Sequence, residues 1–420
     1  MCHASAQSTG KFEDHPRHSA VLTRKYLPKI PVLGTCPSLD YAADYFIKTF
    51  AYSDPAASSL QASEASLDSY GKAIVHLRHD LLTLTGQSLG PALIAATILG
   101  YVDTVTLDSG HDRFRGSFLH RAGATAILCD EPSLAQLGMT IICADRSMFV
   151  DSCLTDTVSQ YDQPRWLDAV FPERTDGLWE LGDLQRTTMR LSIQLPRLIH
   201  EIRELIKSRQ CPDFHSSMGL ARSLMDETSH DAEDWMLHRV RLERTISPAD
   251  RQLTPYSYVF RKPEEVSLAV RYWETRLLMV HLYRLVIFRE SEDTAIETTF
   301  LAEEDRLATK TLMSWQYAYA NRPGITMFMT LTFMCLWAVL KSRKTFKGRP
   351  ISLLAERIRD HVQHTGAGGL MVGATFEAMD QTAAVFLGGP ITGPVANLAE
   401  FIRASKTAQN GLPTKAKCYA

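Results

Sequence analysis

The chain has 420 residues, of which 45% are hydrophobic and 22% are charged, as in an ordinary globular protein. This length is enough for a large buried core, arranged as one large domain or as two or three smaller ones. The formal net charge of −2 excludes a cationic surface for nucleic acid or anionic lipid over the chain as a whole. Binding to DNA would therefore require a local basic module.

The eight cysteines are scattered, and no two of them have the C-x-x-C spacing of zinc sites and thioredoxin-like motifs. This pattern predicts reduced, mostly buried thiols in an intracellular protein. The first residues, MCHASAQSTGKFEDHPRHSA, lack the apolar core of a signal peptide. Residues 1–37 and 405–420 show no sustained hydrophobic period, so both are predicted to be flexible, disordered tails.

Between the tails, apolar residues recur every three to four positions, which predicts amphipathic helices. The recurring positions form four stripes: Ile74, Leu77, Leu81 and Leu84; Leu93, Thr97, Ile98 and Tyr101; Leu119, Ala122 and Ala126; and Leu191, Leu195, Leu198, Ile202 and Leu205. Pro196 lies within the fourth stripe and is expected to kink or divide that helix. The sequence thus predicts an all-α fold, with one large irregular helical domain over residues 38–404.

A G-x-S-x-G pattern stands between the first two stripes, at Gly86-Gln87-Ser88-Leu89-Gly90. In α/β-hydrolases this pattern forms the turn that follows a buried strand and exposes a nucleophilic serine. Here the preceding residues continue a helical stripe, charged residues 78–80 interrupt any buried strand, and Pro91 fits the first position of a helix. We therefore interpret the pattern as a turn between two helices, with a serine hydrolase that uses Ser88 as the alternative.

Later segments show two further patterns. Residues 140–150, TIICADRSMFV, are the best strand candidate, although they fit a buried helix nearly as well. Residues 266–288 are apolar on nearly all sides, which predicts a central helix. The apolar residues of that segment include Trp273, Leu277, Leu278, Leu282, Leu285 and Val286.

Two segments near the end of the domain differ sharply in polarity. Residues 289–306 are acidic and polar, and we expect an exposed loop or a mobile linker there, which is also a candidate seam between domains. Residues 325–340 are strongly apolar, but these 16 residues fall short of the roughly 20 needed to cross a bilayer. A helix buried inside a large helical protein is therefore predicted for residues 325–340.

Motifs that would carry chemistry are weak. The pairs His76/His79 and His361/His364 could each share a helix face, but neither has an evident third metal ligand, so structural or surface histidines are predicted. The glycine-rich residues 365–373 have neither G-K-[ST] nor G-x-G-x-x-G spacing, and a flexible turn is expected. The sequence therefore predicts no catalytic, cofactor-binding or metal-binding residue, no cofactor and no enzymatic activity.

Four helical segments follow one another in a suggestive order: SLDYAADYFIKTF, SYGKAIVHLRHDLL, ALIAATILGYVDTVTLD and FLHRAGATAILCD. Their order resembles the regulatory region of fungal-specific transcription factors, the all-α domain that follows the binuclear zinc cluster in Zn(2)-Cys(6) regulators. The family's A-L-x-x-L-R pattern after an aromatic residue is matched at residues 70–78, from Tyr70 on. An aromatic helix end follows at Tyr101, and H-x-x-G-A-x-x-L-L begins at His120.

Two further segments, LMDETSHDAEDWMLHRV and RYWETRLLMVHLYRLVI, match the family's leucine-acid helix and its aromatic-rich helix, so the resemblance spans residues 38–290. The chain departs from the family at the zinc cluster, which needs six cysteines in two C-x2-C-x6-C runs. Before Ser38 it has only Cys2 and Cys36, with few basic residues. Three explanations stay open: a regulator that lost its cluster, an exon missing from the gene model, or a protein that acts through partners.

The resemblance implies a nuclear regulator of transcription, with a metabolic or secondary-metabolite pathway as its target. The implied partners are transcriptional co-regulators or DNA-binding proteins, including a homo- or heterodimer partner. Neither binding to a membrane nor direct sequence-specific binding to DNA is expected of this chain. Grooves between helices would hold a partner, and a core pocket would accept a small-molecule inducer. The competing hypotheses are an enzyme that uses Ser88 and a helical scaffold anchored in a membrane by residues 325–340.

Overall fold

The computed structural model describes residues 36–51, 59–83, 89–105, 119–125, 127–128, 134, 147–164, 166–167, 181–207, 214–226, 230–288, 294–320, 326–364 and 376–410. Most of these residues are helical, which confirms the predicted all-α fold. Of the predicted tails, residues 1–35 and 411–420 lie outside the described residues. Pro37 begins the first helix, and residues 405–410 continue the last one.

The chain divides into two compact units. The first unit comprises residues 1–144, 368–372 and 400–420, and the second comprises residues 145–367 and 373–399. The main division therefore falls after residue 144 and not within residues 289–306, where the sequence suggested a seam.

The described residues of the first unit before residue 144 include three helices and a shorter helical stretch at residues 119–125. The helices are α1 (Pro37–Ala51), α2 (Ser59–Thr83) and α3 (Leu89–Val105). Helix α1 packs against both α2 and α3. The predicted stripe of α2 faces the core at Leu77 and Leu81, and Leu93 and Ile98 do the same on α3. Leu84 lies outside the described residues.

The second unit holds the remaining elements, and its last helix ends in the first unit. In chain order they are α4 (Ser147–Thr155), α5 (Leu181–Lys207), α6 (Phe214–Asp226), α7 (His230–Leu237), β1 (Arg241–Arg244), α8 (Pro248–Leu253), β2 (Tyr256–Val259), α9 (Pro263–Ile287), α10 (Thr294–Met313), α11 (Trp315–Ala320), α12 (Thr326–Leu340), β3 (Thr345–Phe346), β4 (Arg349–Pro350), α13 (Ile351–His364), α14 (Phe376–Phe386) and α15 (Gly393–Asn410). The strands form two antiparallel pairs, β1 with β2 and β3 with β4. Runs of two to four residues are too short for a period-two signal, so the sequence did not reveal them.

Helix α9 is the centre of the second unit, as its all-round apolar pattern predicted. It packs against α5, α6, α10 and α12. Trp273 and Tyr272 are completely buried on it, and Leu285 is the one predicted apolar residue of α9 that is exposed. Pro263 occupies the first turn, where its fixed φ suits a helix and its missing N–H needs no partner.

The strand expected within residues 140–150 is not formed where the structure describes it. Residues 140–146 lie outside the described residues, and residues 147–150 begin helix α4. Phe149, Val150, Cys153 and Leu154 are all buried. This i, i+1, i+4, i+5 spacing places them on one helical face, so the buried-helix alternative is the correct one for this part.

The prediction of a loop at residues 289–306 is also wrong from Thr294 on, because α10 begins there. Residues 289–293 lie outside the described residues. Acidic composition suggested exposure, but Glu304 is completely buried on α10. Cationic side chains of other elements pair with it, so its burial does not leave an isolated charge.

Helix α12 covers the apolar segment that is too short for a membrane span. Its side chains from Met329 to Leu340 are buried within the second unit, as predicted. Among the described residues, no helix is long and apolar enough to cross a membrane.

Helix α5 continues through Pro196 without a division, contrary to one of the two expected outcomes. All five residues of the predicted stripe on this helix are buried. A proline inside a helix removes one backbone hydrogen bond and costs about 3 kcal/mol. Burial of five leucine and isoleucine side chains, at about 1.5–3 kcal/mol each, outweighs that cost.

Arg203 connects the end of α5 to the last turn of α14 and to the loop that follows it. Its side chain is buried, with Nε 3.1 Å from the Gly389 carbonyl oxygen and Nη2 3.1 Å from the Val385 carbonyl oxygen. The chain between these two carbonyls turns at Gly388, which has a φ of +78°. A side chain there would have its Cβ 3.0 Å from Ile202 Cγ2.

We expect Gly388→Ala to destabilise the second unit by about 1 kcal/mol more than Gly348→Ala. Both glycines have a positive φ, but a Cβ at Gly348 would have no atom within 4 Å, so this variant carries only the backbone cost. Urea unfolding followed by tryptophan fluorescence measures the difference. Equal free energies of unfolding for the two variants would contradict the steric argument.

Candidate functional site

The G-x-S-x-G pattern joins two helices. Residues 84–88, which include Ser88, lie outside the described residues, while α2 ends at Thr83 and α3 begins at Leu89. A nucleophile elbow requires a strand before the serine, and the described residues there are helical. Leu89 and Gly90 belong to α3, so Pro91 is its third residue and not its first.

The histidine pairs separate into different environments. His76 stacks on Tyr41, with ring centroids 5.2 Å apart, whereas His79 is exposed. His361 is completely buried, with Nε2 3.2 Å from the Thr330 hydroxyl and its ring against Trp315. These three positions fit the predicted structural or surface histidines, and the side chain of His364 lies outside the described residues. The glycine-rich residues 365–373 lie outside the described residues.

Four polar side chains meet in the interior of the first unit, and we call them the Tyr–His–Asp cluster: Tyr45, Tyr70, Asp103 and His120. A hydrogen bond of 3.1 Å joins the Tyr70 hydroxyl to His120 Nε2. The Tyr45 hydroxyl donates to Asp103 Oδ1 at 3.2 Å, and Asp103 Oδ2 lies 3.7 Å from His120 Nε2. The cluster thus connects α1, α2, α3 and the helical stretch at residues 119–125.

Burial controls the ionisation of this cluster. It lowers the pKa of His120 from 6.5 to about 4, so the imidazole is neutral at pH 7. Burial, followed by the nearby Asp103 carboxylate, raises the pKa of the Tyr70 phenol well above its usual value. Both groups are thus uncharged at neutral pH, which suits a structural junction between helices.

The sequence singled out Tyr70 and His120 separately, as the starts of two motifs, and the structure brings them together. The sequence did not identify Asp103 or Tyr45 as their partners. Asp103 is a carboxylate in an otherwise apolar helix. Because a buried carboxylate must have hydrogen-bond partners, this residue could have indicated a polar cluster in the sequence.

A second buried polar region lies between α9 and α10, and we call it the Glu304 network. Glu304 Oε1 accepts hydrogen bonds from Arg284 Nε at 2.9 Å and lies 2.9 Å from His281 Nδ1. Its other oxygen accepts a hydrogen bond from Arg343, which also pairs with Asp305. Burial alone would raise the pKa of Glu304, but the bond to His281 and the charges of His281 and Arg284 lower it below its usual value.

Glu233 of α7 forms a similar site nearby in the same unit. Glu233 Oε1 accepts hydrogen bonds from Trp273 Nε1 and Lys310 Nζ, both at 2.8 Å, and Oε2 lies 2.7 Å from Arg306 Nη1. Burial would raise the pKa of Glu233, but Lys310 and Arg306 hold it below its usual value. Arg306 also pairs with Glu303, which neighbours Glu304 along α10. The two sites therefore share one helix.

One group of potential metal ligands occurs among the described residues: Asp156, His200 and Glu204, whose ligand atoms lie within 4.8 Å of one another. Asp156 Oδ1 lies 2.9 Å from His200 Nδ1 and also accepts a hydrogen bond from the buried Arg203. Lys207 Nζ is 2.7 Å from Glu204 Oε1. A metal ion would have to compete with both cations, so an ion-pair cluster is the better interpretation.

A small cavity lies inside the second unit. It has a volume of about 10 Å³ and is lined by Phe149, Ser192, Leu195, Arg271, Glu274, Thr275, Leu278, Leu331 and Cys335. This is about the space for one water molecule, and the polar lining suits one. The cavity is too small for the inducer that the family resemblance implies.

The outer face of α2 carries an exposed apolar stripe, which we call the α2 stripe: Leu67, Gly71 and Val75. Leu67 is 52% exposed and Val75 65% exposed. A Cβ on Gly71 would have no atom within 4 Å. The i, i+4, i+8 spacing aligns the three residues. The ion pair between Lys72 and Asp68, at 2.6 Å, lies beside them.

The described residues thus contain three buried polar sites, around Asp103, Glu304 and Glu233, together with an ion-pair cluster and an exposed apolar stripe. The buried regions have the geometry of structural junctions, since each of their carboxylates is already engaged by neighbouring side chains. A scan against protein-family models, a search of curated proteins and a search of solved structures found no match.

The stability of the first unit is expected to fall as the pH decreases from 6.5 to about 4. In this window the unfolded state binds a proton at His120 and the folded state does not, so acidification favours unfolding by up to about 3 kcal/mol. Hydrogen exchange of α2 and α3 amides measures the effect. In His120→Gln this part of the pH dependence should disappear, and an unchanged pH dependence would refute the assignment.

The buried Glu304 should contribute far more to stability than the half-buried Glu297, although both are on α10 and both pair with Arg284. Glu304→Gln leaves buried cations without their anion, and we expect a loss of about 3 kcal/mol. Glu297→Gln, the matched control, should cost at most about 0.5 kcal/mol. Urea unfolding followed by fluorescence compares them, and similar losses would show that burial of the pair has no special effect.

Proposed function

We propose that the chain is a transcription regulator-like protein of the fungal-specific type. It acts in the nucleus through protein partners, or with a DNA-binding module not present in this chain, on a metabolic or secondary-metabolite pathway. The proposal starts from the resemblance over residues 38–290. It is supported by the described segments of that resemblance, because they are helical in the same order and because Tyr70 and His120, from two of its motifs, are hydrogen-bonded.

The α2 stripe is the observation that carries the proposed action through partners. Helix α2 holds the motif at residues 70–78, and the inner side of this motif is buried at Ala73 and Leu77. Its outer side presents Leu67 and Val75 to solvent, on both sides of Gly71. Two large apolar side chains with a glycine between them form a shallow site where another helix can approach closely.

Charge supports indirect action on DNA. The net charge of −2 provides no overall attraction to phosphate, and phosphate contacts supply most of the affinity in non-specific DNA binding. A chain with this composition reaches a promoter most readily through a partner that carries the basic surface.

The test is to fuse the full chain to an unrelated DNA-binding domain in a fungal reporter strain. We expect the fusion to change reporter transcription, and Leu67→Asp with Val75→Asp to reduce that change several-fold, because two charges on the stripe oppose burial in an interface. Ile206→Asp is the matched control, since Ile206 is 62% exposed on α5 of the other unit.

All three proteins should unfold at similar temperatures, because surface substitutions change stability little. A fusion that leaves transcription unchanged would contradict the proposed function. If the stripe variant behaved like Ile206→Asp, the α2 stripe would not be the partner surface.

A further inference from the structure

Strand β1 forms an open edge of its sheet. In the described part of the chain this sheet has two strands, and all four residues of β1 are exposed, including Leu242 at 60%. The register pairs Arg241 with Val259 and Glu243 with Ser257. An edge strand with exposed apolar residues is a template for pairing with a further strand.

The hydrogen-bond pattern identifies which main-chain groups point outward. Thr245 N donates to the Pro255 carbonyl oxygen at 3.0 Å, so this pair is hydrogen-bonded, and alternation makes Glu243 and Arg241 hydrogen-bonded as well. The N–H and C=O groups of Leu242 and Arg244 therefore point away from β2. The edge ends at Ile246, whose N–H donates to Gln316 Oε1 at 2.6 Å.

We propose that β1 is the docking edge for a second copy of this chain. The two β1 strands run antiparallel about a two-fold axis between their Leu242 residues, which join the two sheets into one of four strands. The two Leu242 residues exchange main-chain hydrogen bonds. Each Arg244 N–H donates to the C=O of the partner's Val240, a residue whose own N–H bonds to Leu237 O.

Charge complementarity favours a second copy of the chain, paired in this register. With Leu242 opposite the partner's Leu242, Arg241 faces the partner's Glu243, and the same pair occurs again by symmetry. Shifted registers that join outward groups place Glu243 opposite the partner's Glu243, Arg241 opposite the partner's Arg241 or Arg244 opposite the partner's Arg244, and like charges in direct opposition are destabilising. The run Arg241-Leu242-Glu243 is thus complementary to itself only when its central leucine lies on the axis.

The proposed dimer is transient. Four-residue strands bury less than the roughly 1,200 Å² of a stable interface, so dissociation in the micromolar range is expected. This inference is independent of the proposed role in transcription, since it rests on β1 alone and is tested on the purified chain.

Disulfide trapping tests the register. In the proposed dimer two Leu242→Cys residues lie about 5.5 Å apart between Cα atoms, which suits a disulfide. Residue 243 lies opposite the partner's residue 241, so two Glu243→Cys residues are too far apart. Under mild oxidation we expect a covalent dimer from Leu242→Cys, and no more from Glu243→Cys than from wild-type chain, which controls for native thiols. Equal or stronger trapping by Glu243→Cys, or none by Leu242→Cys, would overturn the proposal.

Charge exchange tests the pairing without covalent trapping. Arg241→Glu and Glu243→Arg each place like charges opposite each other twice in the dimer, and each should weaken dimerisation about tenfold or more. The double variant restores opposite charges and should return the dissociation constant close to the wild-type value. Sedimentation equilibrium measures all four proteins. If the double variant is no tighter than the single variants, or if wild-type chain stays monomeric throughout the micromolar range, the pairing does not occur.

Discussion

The second unit depends on the burial of one carboxylate, that of Glu304, among hydrogen-bond partners from other elements. His281 and Arg284 come from α9, and Arg343 follows α12, so a single side chain connects three parts of the unit. A buried ion pair adds little net stability, but removal of one partner is costly. The arrangement therefore favours this packing of α10 over alternatives that would leave one of these charges buried alone.

Buried polar side chains also join distant segments at two other places. The Tyr–His–Asp cluster connects the helices of the first unit through two phenols, an imidazole and a carboxylate, whereas the Arg203 guanidinium connects α5 to a carbonyl oxygen of α14 and to one just after it. In each case a buried polar group has partners that are distant in sequence. Polar interiors of this kind specify which helices are neighbours, a choice that apolar side chains alone leave open.

The surfaces of the two units offer different contacts. The α2 stripe presents apolar side chains on a helix, which suits a helical partner, while β1 presents main-chain groups and alternating charges, which suit another strand. The two proposed contacts thus rest on different physical interactions: burial of apolar side chains at the α2 stripe, and main-chain hydrogen bonds with charge pairing at β1.

By itself, the amino-acid sequence determined the helical fold, the buried faces of α5 and α9 and the burial of α12, because helical periodicity depends on residues only three to four positions apart. It failed at the acidic run: Glu297 and Glu304 look alike in sequence, yet only Glu304 is completely buried. The partners of Glu304 are 23 and 39 residues away, at His281 and Arg343. Only the tertiary structure brings such groups together, so it alone decides which charges are buried, how Tyr70 meets His120, and which strand edge remains open.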